Sequence, residues 1–161
     1  MIKIEGTNVN VLGPVSELNY FDTQAVSLER ELSPLEAWNT VMSHPQPLLK
    51  VAFRIRDAVS SLFGVKRIGG FSGKRTECVE TGDYLDFFLV EHTDADALVL
   101  TERDRHLDVM TCISTEGATV SITSSVRVHN FYGHLYMIPV GVAHRWIVRA
   151  MLKRLKRDIA A

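Results

Sequence analysis

The run ATVSITSSVRVHNFYGHLYMIPVGVAHRWIVRAMLKRLKRD, residues 118–158, changes its period partway, and that change decides the fold. From Ala118 to His129 the chain alternates. Ala118, Val120, Ile122, Ser124, Val126 and Val128 share one face, and Thr119, Ser121, Thr123, Ser125, Arg127 and His129 share the other. A period of two is that of a strand with one covered face, and the first set is the one to bury. About 12 residues at ~3.3 Å each make a strand of roughly 40 Å, long enough to curve. Asn130-Phe131-Tyr132-Gly133 reads as a turn and Leu135–Ile138 as a short strand or lead-in. From Pro139 the period is helical: Val140, Ala143, Ile147, Val148, Met151, Leu152, Leu155 and Ile159 recur at three- and four-residue spacing. Proline suits the first helical position, where an N–H would be unpaired anyway. A helix of about 20 residues spans ~30 Å and must bury one side.

Working backwards, Phe87–His92, Ala97–Glu102 and His106–Ser114 also read as strands. Their separators hold Thr93-Asp94, Arg103-Asp104 and Glu116-Gly117, short enough for hairpins, so the sheet is expected to be antiparallel. Residues 66–84 hold Gly69, Gly70, Gly73 and Gly82 and read as loop or irregular strand. Ser33-Pro34-Leu35-Glu36 is a capping box with proline at the first helical position. That helix runs to about Met42, where His44-Pro45-Gln46-Pro47 breaks it. A second helix follows to about Phe63, with Gly64 as its cap. Residues 20–29 read as a first strand, and residues 1–17 as an extended arm. Residues 18–161 then form a single α+β domain, an antiparallel sheet wrapped on a long C-terminal helix, with two short helices after the first strand. Such an arrangement leaves room for a cavity between sheet and helix.

The 161 residues, 46% hydrophobic and 23% charged, are ordinary for one globular domain. A domain of this size buries about 70% of its unfolded surface. The net charge of −1 gives no overall attraction to nucleic acid or to a membrane. Cys78 and Cys112 form no CxxC pair and are expected as reduced thiols of a cytoplasmic protein. The first residues lack the apolar core of a signal peptide, and no apolar run approaches the ~20 residues of a membrane span, so membrane insertion is not expected.

Certain segments are shared with a known family: Ile55-Arg56-Asp57 with Phe63-Gly64; Asp104-Arg105-His106-Leu107-Asp108; Val128-His129-Asn130 with Gly133 and Tyr136; and Pro139 with His144-Arg145. Over roughly residues 20–155 the chain resembles a bacterial family catalogued as a domain of unknown function within the START-like (SRPBCC) superfamily. The resemblance implies the helix-grip fold and a hydrophobic small molecule held between sheet and helix. Some members of that superfamily are cyclases or hydrolases and others only bind; the family itself implies no established activity.

The residues offer several candidates for chemistry. His106 and Asp108 are two apart on an expected strand and so share a face, as an acid–base couple or a metal-binding start. No metal motif completes them, so no metal and no cofactor is expected; the plainer role is a hydrogen bond at a hairpin end. His129 can face a cavity mouth or stabilise a turn with Asn130. His144, in the first turns of the last helix, would be neutral near the positive helix end, or paired with an acid. Tyr136 and Trp146 flank the helix start and can wall a cavity or simply pack. Ser124 and Ser125 lack a GxSxG elbow, so a hydrolase triad is unsupported. Residues 139–161 carry six basic side chains against one acid, and residues 77–104 nine acids against one base. Three functions compete: a binding module for a hydrophobic or amphipathic molecule, an enzyme (cyclase, dehydratase or hydrolase) using His106, Asp108, His129, Tyr136 or His144, and an interaction protein working through the basic helix. No nucleic-acid partner is expected, and the oligomeric state is not legible.

Overall fold

The fold was described from a computed structural model, which places residues 1–43, 47–62 and 70–161. In chain order it has β1 (Ile2–Lys3), β2 (Asn10–Val11), a short 3-10 turn (Val15–Glu17), β3 (Tyr20–Ser27), α1 (Pro34–Met42), α2 (Pro47–Leu62), β4 (Tyr84–Leu85), β5 (Phe88–Thr93), β6 (Ala97–Arg103), β7 (Leu107–Glu116), β8 (Thr119–Val128) and α3 (Phe131–Ala160). Six strands form one antiparallel sheet in the order β3-β8-β7-β6-β5-β4. The chain is thus α+β, as expected, with a long C-terminal helix against an antiparallel sheet.

Local chemistry accounts for much of this. Ser33 Oγ accepts from the Glu36 amide at 3.2 Å while Glu36 Oε2 accepts from the Ser33 amide at 2.9 Å, closing the capping box that starts α1. Those bonds hold the Glu36 carboxyl below its ordinary pKa. Gly117, at φ +55°, occupies the two-residue loop between β7 and β8. The expected break at His44–Gln46 and the expected cap at Gly64 lie outside the described residues.

The sheet has two differently covered faces. On the inner face Val90, Leu98, Leu100, Ile113, Val120 and Ile122 pack against Trp38 and Val41 of α1 and Val148, Met151, Leu152 and Leu155 of α3. On the outer face Ala97, Val99, Met110 and Cys112 form a smaller cluster capped by Leu12. The segment read as an extended arm therefore folds back as the β1–β2 hairpin and covers that outer face. Its amides are taken up there: Asn10 N donates to Cys112 Sγ at 3.3 Å and Leu12 N to Ser125 Oγ at 3.1 Å. Burial pushes the Cys112 thiol pKa up; Cys78 is exposed, and both are free thiols.

The largest correction concerns the start of α3. The helix begins at Phe131, not Pro139, and the segment read as a turn and lead-in strand forms its first two turns. Asn130 is the N-cap, its Oδ1 accepting from the Gly133 amide at 3.1 Å. Gly133 is a close-approach residue: a Cβ there would lie 2.5 Å from the His106 carbonyl oxygen and 2.6 Å from Val128 Cγ1. Pro139 sits inside the helix on its exposed side, where water can take the carbonyl that the missing N–H leaves unpaired.

Candidate functional site

The strand register lines up a row of polar side chains across the inner face. Thr111 of β7 is paired with Ser124 of β8, and Ser124 with Asp22 of β3. The adjacent row runs Glu102, Val109, Val126, Tyr20 from β6 to β3. Alternation puts both rows on the same face as the apolar core, and at their β3 and β8 ends they lie against α3.

His144 completes this group from the helix. Its Nε2 lies 3.3 Å from Ser124 Oγ and its Nδ1 3.4 Å from Tyr20 Oη. Tyr20 O–H donates to the Gly141 carbonyl at 3.2 Å. One proton arrangement satisfies all three contacts: Ser124 O–H donates to Nε2, Nδ1–H donates to Tyr20 Oη, and Tyr20 O–H donates to Gly141 O. Burial lowers the His144 pKa, with Asp22 acting in the opposite direction, so the imidazole is neutral at neutral pH. Burial, reinforced by Asp22, raises the Tyr20 pKa. Asp22 is itself held by Gln24 Nε2 at 2.8 Å and by Arg145 Nε at 3.4 Å. The Arg145 guanidinium also lies 5.7 Å from the centre of the Tyr20 ring. A cation thus fixes the carboxylate beside the neutral histidine.

The surroundings of Ser124 limit the chemistry open to this group. Ser124 is 2% exposed in the middle of β8, which is hydrogen-bonded on both sides. Its neighbouring amides are engaged in the ladders and so cannot form an oxyanion hole. The group does adjoin open surface. Val109 and Thr111 lie on a central strand of the sheet, yet both are only partly buried. Glu102, Tyr136 and Val140 are likewise partly buried.

The other predicted residues are dispersed. His106 does not share a face with Asp108, because it lies in the turn before β7 begins at Leu107. Arg105 Nε donates to His106 Nε2 at 3.1 Å, which puts the ring proton on Nδ1, 3.1 Å from Asn130 Oδ1. Asn130 Nδ2 also donates to Arg105 O at 3.1 Å. His106 therefore helps to fasten the α3 cap to the β6–β7 turn, beside a shallow cleft of about 480 Å³ lined by Arg105, His106, Asn130, Phe131 and Tyr132. Asp108 instead meets His129, Oδ1 to Nε2 at 3.1 Å, on the outer face. His129 thus does not point to the inner face, since the alternation of β8 carries it to the other side. Trp146 does not face the sheet with His144: two residues along a helix are turned by roughly 200°, and Trp146 is 68% exposed. Among the described residues, no three His, Cys, Asp or Glu side chains converge to hold a metal ion.

Tyr20, Asp22 and Ser124 were not among the predicted site residues. Tyr20, Asp22 and Gln24 occupy one period-two face of the first strand, and that polar inward face was the available signal.

No curated protein and no solved structure matches the chain. A family model matches residues 15–151, which span the sheet, the polar row and most of α3, and the chain accordingly belongs to the family described as protein of unknown function (DUF2867).

Proposed function

We propose that this is a small-molecule-binding domain of START-like helix-grip architecture. It holds a hydrophobic or amphipathic ligand on the inner face of the sheet, beside the first half of α3. The observation that carries this reading is the partial exposure of Val109 and Thr111, in the centre of a six-stranded sheet and next to the Tyr20–Ser124–His144 group. A central-strand residue on the covered face of a sheet is ordinarily sealed by packing, so the partial exposure offers a ligand an apolar floor at Val109. Thr111 supplies a polar anchor at its edge, and the Tyr20–Ser124–His144 group, its ring nitrogens already engaged, holds the adjoining wall in place. The Ser124–His144 contact favours a second reading, an enzyme using His144 as a base, and engagement of the Ser124 amides in the sheet weighs against it.

Native mass spectrometry with organic extraction of the purified protein tests the proposal. A bound small molecule should accompany the natural chain and be lost from a Thr111→Trp variant that fills the site. Retention of the same molecule by the folded variant would overturn the assignment.

A further inference from the structure

The outward side of α3 carries a second feature that the inner-face site does not use. Phe131, Leu135, Ile138, Val142 and Trp146 follow one another at steps of four, three, four and four residues, and all are between 53% and 73% exposed. They form one line about 22 Å long. This line points away from the face that buries Gly133, Gly141, Val148, Met151, Leu152 and Leu155. Continued along the helix, it runs into Arg149, Lys153 and Arg157, all exposed. The sole acid of α3, Asp158, is off this line and partly buried, and it reaches Arg157 at the end of the line, Oδ1 to Nε at 3.9 Å.

We propose that α3 docks this outward line onto an anionic lipid surface, the apolar half sinking among the acyl chains and the cationic half resting on the headgroups. Two observations favour this occupant. The apolar and cationic segments share one side of one helix, so a plane tangent to α3 meets both, and an anionic membrane surface supplies both an apolar phase and negative charge. A second copy of the chain is less well matched, because a line five residues long falls far below the roughly 20–30 residues a side of a stable protein interface. The helix lies on the membrane rather than through it: no helix among the described residues is long and apolar enough to cross one.

The chain carries its own reporter. Of its two tryptophans, Trp38 is 5% exposed in the core, so a change in emission on docking comes from Trp146. The test is a titration of the full chain with vesicles of equal parts phosphatidylcholine and phosphatidylglycerol, read by Trp emission and co-sedimentation, with pure phosphatidylcholine vesicles in parallel. A blue shift with the anionic vesicles is expected, weakened by salt. Partitioning should fall by about tenfold or more in Ile138→Asp, and comparably in the double variant Arg149→Glu/Lys153→Glu. Both variants change exposed side chains, and unchanged circular dichroism confirms folding. Absence of a shift with anionic vesicles would overturn the proposal. So would equal binding to neutral vesicles, or self-association by analytical ultracentrifugation that Ile138→Asp abolishes without any vesicle binding by the natural chain.

Discussion

His144 Nε2 stands 3.3 Å from Ser124 Oγ, joining the middle of the long helix to the middle of the longest-paired strand. The contact is partly buried, and that burial keeps the imidazole neutral. Because the folded-state pKa of His144 is below its unfolded value near 6.5, the unfolded chain binds the extra proton more readily. Stability from this residue is complete above about pH 6.5 and declines as pH falls from there towards the folded pKa, by at most about 1.4 kcal/mol per pH unit. Urea denaturation at pH 7.5 and 5.5 should therefore show a larger acid loss for the natural chain than for His144→Gln.

Gly133 offers a test in which packing and helix propensity oppose each other. Alanine is favoured over glycine by about 1 kcal/mol in a helix interior. The added Cβ would nevertheless press on the His106 carbonyl and on Val128. Gly133→Ala should thus lower stability, by about 1–3 kcal/mol, as overpacking does. Thermal denaturation gives the sign directly.

Asn130 caps α3 and ties it to the β6–β7 turn through Arg105 O and His106. Replacing Asn130 with Ala should cost about 1–2 kcal/mol of folding stability by chemical denaturation.

Asp108 and His129 are a partly exposed pair on the face away from α3. Asp108→Ala should change stability by no more than about 1 kcal/mol and leave ligand retention as in the natural chain. Loss of the ligand in this variant, by native mass spectrometry, would move the site to the outer face.

The sequence carried the fold where the signals were local. The capping box at Ser33, the placement of strands β5 to β8 and the apolar spacing Val148, Met151, Leu152, Leu155 each appear as expected, though both faces of the sheet are covered rather than one. The start of α3 was misread because two rules pointed to the wrong place. Pro139 fits the first position of a helix, and Gly133 fits a turn. In the fold, Gly133 makes room for a carbonyl of another segment, and Pro139 is tolerated on an exposed side. Neither reason is visible without the three-dimensional neighbours.

The site was less legible still. His144 was identified, but its partners Tyr20 and Ser124 are 124 and 20 residues distant, brought together by pairing between β3 and β8. His106 and Asp108 drew attention by their spacing of two on an expected strand and His129 by its place at a strand end, and local register sends them to a cap and to the outer face. The exposed line from Phe131 to Trp146 was hidden by the supposed turn, since its first three members were not read as helical.

The most direct test of the inner-face binding site is a two-dimensional NMR titration of the isotope-labelled chain with decanoate. The predicted result is that the amides of Val109, Thr111 and Ser124 shift together and saturate. Shifts confined to residues 131–146 of α3 or to the cleft beside His106, with Val109, Thr111 and Ser124 unmoved, would contradict it.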